Sequence, residues 1–186
     1  MKFHSRLSSP EQAQLRRQFI QSISPDIDPE IMQLMEGVRQ VAHALAQIGE
    51  TSLEASGLSY AQYRVLLSLS MSEAIQGRDE LNPSEISEIQ GTSRNTISAL
   101  IRSLEENGLV ERRLDQQDRR RFNISLTEAG QDLLKQHARQ HFEMIGNCFT
   151  SLDETERDNL RLIMLKLDQH IQVERDRILR KSSSHR

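Results

Sequence analysis

The chain has 186 residues, enough for one good core or for a small domain with an added oligomerisation element. It carries 24 Lys and Arg against 27 Asp and Glu, a net charge of −3, so bulk charge selects no partner and any nucleic-acid surface must be local. A single cysteine, Cys148, excludes an internal disulfide and a CxxC metal site; with no signal-peptide core in MKFHSRLSSPEQ and no membrane-length apolar run, the expected location is cytoplasmic.

Ser9-Pro10-Glu11-Gln12 joins an N-cap, a proline at the first helical position and an early acid, and predicts a helix over 9–23 within an N-terminal extension, 1–27. Asp28-Pro29-Glu30 repeats the device. The helix that follows, to about Ala55, carries Ile31, Leu34, Val38, Val41, Leu45 and Ile48 on one narrow stripe, which suits packing against another long helix. His43 lies beside that stripe.

Ser59-Tyr60-Ala61-Gln62 is a capping-box pattern opening a helix through Tyr63, Leu66, Leu67 and Leu69. The polar segment SEAIQGRDEL, containing Gly77, reads as a loop that makes 71–82 unusually long. Asn82-Pro83 caps a short helix to Gln90 that buries Ile86 and Ile89. Gly91 breaks it, and Thr92 or Ser93 caps the next helix, which ends at Asn107-Gly108. On that helix Ile97, Leu100, Ile101 and Leu104 share the core side. Asn95, Ser98, Ala99 and Arg102 point the other way, with no carboxylate before Glu105 and Glu106.

Leu109–Leu114 and Phe122–Leu126 predict two strands, the second turning Phe122, Ile124 and Leu126 inward and Asn123 and Ser125 outward. Between Arg112 and Arg121 stand five arginines and two aspartates, a local reversal of the chain's overall sign. Helix returns from Thr127 to about Phe149. Ser151-Leu152-Asp153-Glu154 opens a last helix with Leu160, Ile163, Leu167 and Ile171 on one face, and the residues from 179 onward read as a flexible tail.

A short helix, a tight turn, a second helix and a β-hairpin form the order of a winged helix-turn-helix. The outward face of the second helix has the groups a major-groove reader needs: hydrogen-bonding side chains for base edges, a small residue for close approach, and a cation. Thr92, Ser93, Arg94, Asn95, Thr96, Ser98 and Arg102 are therefore the candidate DNA-binding residues of this helix, and Arg119, Arg120 and Arg121 those of the hairpin tip. The tip arginines suit phosphates and a narrow minor groove. A winged helix serving only protein interaction would show an apolar or acidic recognition face, and this one is polar and cationic.

Residues 28–171 resemble the MarR family of winged-helix regulators in element order. The family's wing pattern, Asp-x-Arg-x-x-x-Ile/Val-x-Leu-Thr, is matched by Asp118, Arg120, Ile124, Leu126 and Thr127, and SLEENGLVERR at 103–113 is similar to the family's approach to the wing. Gln116 replaces a proline often found after the first wing aspartate. The resemblance implies that Asp118 positions a wing arginine. It implies a homodimeric transcriptional repressor on double-stranded DNA, at a pseudo-palindromic operator, released by a small aromatic or phenolic effector.

The expected fold is mainly α with a small β-hairpin wing (α+β): a winged helix-turn-helix lobe, 59–127, and a helical dimerisation lobe built from 28–58 and 128–178, with 179–186 as the tail. Ile31, Leu34, Val38, Leu160, Ile163, Leu167 and Ile171 are the expected dimer contacts. No cofactor and no metal site is expected. His137 and His141 stand four apart, but with neither HExxH nor a nearby cysteine they read as surface histidines. Cys148, near Ile145 and Phe149, reads as buried and inert. No phosphate-cradling loop, GxSxG elbow or nucleophile with its base is present, so no enzymatic activity is expected.

Overall fold

A computed structural model describes residues 10–26, 28–114 and 121–183. Its element order is α1 (Pro10–Ile23), α2 (Pro29–Ser52), a 3-10 turn (Glu54–Ser56), α3 (Tyr60–Gln76), β1 (Glu80–Leu81), α4 (Pro83–Gln90), α5 (Arg94–Glu106), β2 (Val110–Leu114), β3 (Phe122–Leu126), α6 (Glu128–Asn147) and α7 (Glu154–Ser183). The chain divides into two compact units, Met1–Met144 and Ile145–Arg186.

Local chemistry explains most boundaries. Ser59 Oγ accepts from the Gln62 amide at 3.2 Å while Gln62 Oε1 accepts from the Ser59 amide at 2.9 Å, a reciprocal cap that starts α3. Asn82 and Glu85 make the same exchange at the start of α4, with Pro83 preset for the first turn. Asp28 caps α2 through the Glu30 amide at 2.9 Å. Ser93, rather than Thr92, caps α5.

The first unit closes around Leu53, Tyr63, Leu66, Leu69, Ile86, Ile97, Ile101, Leu104 and Ile124, most of them contributed by α3, α4, α5 and the sheet. The sheet has the order β1-β3-β2, all antiparallel. Leu81 pairs with Ile124, and Val110 and Leu114 pair with Leu126 and Phe122. A strand of two residues thus ties the start of α4 to the hairpin.

The structure departs from the sequence-based expectation at four places. The polar run after Met71 is not a long loop: α3 continues to Gln76 because Ser72 is buried and Gly77 takes the left-handed cap, its amide reaching the Glu73 carbonyl at 3.0 Å. Ile89 is 54% exposed, since the short α4 turns only one face to the core and spends it on Ile86; Ile89 instead borders an open groove of about 350 Å³ with Met71 and Ile75. On β3, Phe122 is exposed and Ser125 buried, because the strand lies between two others near Ser125 and projects past β1 at Phe122. Finally, α7 runs through Ser183, so helix extends into the segment expected to be a tail; 184–186 lie outside the described residues.

In the second unit, α7 spans 30 residues with Ile163, Leu167 and Ile171 exposed and Leu160 half-buried. Among the described residues no helix is long and apolar enough to cross a membrane.

Candidate nucleic-acid interface

The turn between α4 and α5 is built to hold one geometry. Gly91 takes a φ of 62°, a region open to glycine at no steric cost. Ser87 Oγ donates to the Thr92 carbonyl at 2.6 Å, and the Thr92 amide donates to the Ser87 carbonyl at 3.2 Å. Gln90 Nε2 donates to the Arg64 carbonyl at 2.8 Å and to Ser68 Oγ at 2.6 Å, which pins the end of α4 onto α3. Gln62 Nε2 reaches Ser103 Oγ at 3.0 Å and holds α5 from behind. With Ile97, Ile101 and Leu104 buried, α5 has no freedom to roll.

The sequence-predicted residues on α5 then divide by what they are doing. Ser93 Oγ accepts from the Thr96 amide at 3.1 Å and lies 2.8 Å from Thr96 Oγ1, so both side chains serve the helix end. Ser98 Oγ donates to the Arg94 carbonyl at 2.8 Å and keeps its lone pairs outward. Thr92 is half-buried in the turn. Arg94, Asn95 and Arg102 are exposed, and none makes a side-chain hydrogen bond or ion pair among the described residues. Exposed Ala99 sits among them and lets the helix axis approach a surface closely. The unsatisfied amides of the α5 N-terminus add partial positive charge at the same end.

On the hairpin, the strand arginines are already neutralised. Arg112 Nε lies 2.8 Å from Glu105 Oε2, linking β2 to the far end of α5. Arg113 pairs with Glu111, which also accepts from Ser125 Oγ at 3.4 Å. Arg112 and Arg113, two of the five arginines noted in the sequence, are therefore engaged by carboxylates of the protein itself. Arg121 is exposed, while Asp118, Arg119 and Arg120 lie outside the described residues.

The hairpin is locked to α6 as firmly as α5 is to α3. Thr127 Oγ1 donates to the Gly108 carbonyl at 2.7 Å and the Thr127 amide to the Leu109 carbonyl at 3.2 Å. A Cβ on Gly130 would fall on that same Leu109 carbonyl oxygen. Asn123 Nδ2 donates to Glu80 Oε1 at 2.7 Å and braces β1.

The histidine pair is not on the surface, contrary to expectation. His137 is 8% and His141 3% exposed, because α6 turns both inward. His141 lies between Tyr60 and Tyr63, with ring centroids 5.6 and 4.7 Å away, and bonds Ser52. Tyr63 is fully buried and its hydroxyl has no hydrogen-bond partner among the described residues; burial chiefly, with Tyr60 adding, raises its pKa. Among the described residues no group of three or more His, Cys, Asp or Glu could hold a metal. Cys148 is half-buried rather than buried. An i,i+4 histidine pair is a pattern that a helix facing the core can also produce, and only the aromatic residues at Tyr60 and Tyr63 could have signalled it.

The stripe on α2 is uncovered in the single chain, with Ile31, Leu34, Val38 and Val41 all exposed.

A model of the MarR family matches residues 56–121, the stretch holding α3, α4, α5 and β2. The transcriptional repressor MprA of Escherichia coli K12 is 29% identical over 133 residues, 71% of this chain and 73% of MprA. The HTH-type transcriptional repressor YetL of Bacillus subtilis is 24% identical over 152 residues, 81% of this chain and 88% of YetL. Among solved structures, a complex of Staphylococcus aureus MepR with DNA superposes with a TM-score of 0.63 at 26% identity, covering 72% of this chain and 93% of MepR.

Proposed function

This chain belongs to the MarR family, and we propose that it is a homodimeric, sequence-specific DNA-binding repressor of transcription. The carrying observation is the outward face of α5. Arg94, Asn95 and Arg102 are solvent-exposed and without partners among the described residues, on a helix whose other side is buried and whose N-terminal turn is held by Ser87 and Gln90. Two guanidiniums and a carboxamide that no group among the described residues engages, on a rigid face, are available to base edges and phosphates.

In this reading Asn95 and Ser98 meet base edges and Arg94 and Arg102 flank them, while Thr92, Ser93 and Thr96 set the helix end against phosphate. Arg119, Arg120 and Arg121 reach phosphate and the minor groove from the wing, with Asp118 positioning one of them. A second copy of the chain covers Ile31, Leu34, Val38, Leu160, Ile163, Leu167 and Ile171, and two-fold symmetry implies a pseudo-palindromic operator. In this reading a small aromatic or phenolic effector, which the family resemblance implies, releases the protein from DNA.

The test is a genome-wide map of bound sites followed by titration of purified protein against the best site and a shuffled duplex. Preference for the mapped site by a factor of about 10³ or more supports the reading. Equal affinity for both duplexes across salt concentrations would leave a non-specific binder in its place.

A further inference from the structure

The α1 helix carries an apolar face that its own chain does not cover. Leu15, Phe19 and Ile23 recur once per turn and are 60%, 65% and 64% exposed. The helix is held from its other side. Arg17 lies about 200° around the helix from Leu15, and its Nη2 donates to Gln33 Oε1 at 3.4 Å and stands 4.0 Å from Glu30 Oε1 on α2. This link to α2 is polar and leaves the apolar face outward. Burying three large side chains of this kind would recover transfer free energy that their exposure on one short helix forfeits.

We infer that α1 is an inter-protomer arm whose Leu15–Phe19–Ile23 face is covered by a second copy of the chain, a proposal that rests on the homodimer reading above. Three observations choose this occupant. The connection from α1 to α2 is only residues 24–28, so Ile23 stands close in the chain to the exposed α2 stripe that begins at Ile31 and Leu34, and a partner lying on that stripe reaches α1 next. The MepR structure matches over 93% of its own length but spans only 72% of this chain, so this chain has residues beyond the shared scaffold to spend on an extended interface. A lipid surface is disfavoured by charge, because 10–23 holds two arginines and one glutamate, short of the basic face such binding uses.

The experiment is sedimentation velocity on the full-length chain over a dilution series, for the wild type, the double variant Leu15→Asp and Phe19→Asp, and the single variant Phe19→Ala. The inference expects a dimeric wild type, and dissociation at a concentration at least about ten-fold higher in the double variant with helicity retained. The alanine variant, which favours helix, should fall between them and covers the case in which the aspartates unwind α1. Unchanged dissociation in both variants overturns the inference. The same result together with co-sedimentation of the wild type, but not the double variant, on phosphatidylserine vesicles would assign the face to lipid. A monomeric wild type would remove the homodimer reading itself, an outcome distinct from a dimer indifferent to α1.

Discussion

His141 donates from Nδ1 to Ser52 Oγ at 2.8 Å, because Ser52 has already given its own proton to the Gly49 carbonyl at 2.7 Å. The bond joins residues 89 positions apart and fixes α6 against the end of α2. It also fixes the neutral tautomer of the imidazole: the proton sits on Nδ1 and the lone pair on Nε2.

Burial pushes the His141 imidazole below its ordinary value of 6.5. The unfolded chain then binds a proton more readily than the folded one, so stability is highest above that value. It should fall as pH drops through about 6.5 toward the lower folded pKa. Denaturant melts of His141→Gln, which keeps a donor but cannot titrate, should show a shallower acid limb than the wild type. Parallel acid limbs in the two proteins would show that His141 does not set it.

Gly130→Ala should be among the most damaging single changes. Its Cβ would collide with the Leu109 backbone carbonyl, with Leu126 Cδ2 at 3.3 Å close behind, so the backbone itself would have to shift. The cost should be at least about 1–3 kcal/mol, the range for overpacking. A thermal melt reads it directly, and an unshifted midpoint would mean that the β3–α6 junction is looser than described.

Asn95→Ala removes an exposed side chain with no partner among the described residues, so folding should not change. Affinity for the cognate site should drop by about 1–3 kcal/mol, with relaxed preference at one position per half-site. Equal weakening on all duplexes would place Asn95 on phosphate instead.

Replacing Arg119 and Arg120 together with Ala should weaken cognate and random duplexes alike. The salt dependence should become shallower by about one unit for each phosphate no longer neutralised. Asp118→Ala should weaken binding as well, although it removes a negative charge near DNA, because a positioned guanidinium would lose its geometry. Tighter binding by Asp118→Ala would mean that the aspartate only repels DNA.

Leu167→Asp places a charge on the exposed stripe of α7 and should yield monomers or aggregates in light scattering. Retention of a wild-type dimer would move the interface away from that stripe.

Helix starts, the turn at Gly91 and the core side of α5 were legible from the chain alone, because each depends on residues within a few positions of one another. Ser59 with Gln62, Asn82 with Glu85, and the spacing of Ile97, Ile101 and Leu104 carry their own geometry. The polar outward face of α5 follows from the same periodicity. Pairings between distant segments were not legible. Whether an arginine near the hairpin is free for DNA depends on whether Glu105 or Glu111 comes within reach, and that removed Arg112 and Arg113 from the cluster. Whether His141 meets water or Tyr63 depends on which face of α6 packs against α3, and a pair four residues apart reads the same in either case. Local hydrogen bonds and periodicity determined the elements; the pairing of charges and the burial of polar rings were decided only when tertiary packing set the distances over which desolvation and electrostatics act.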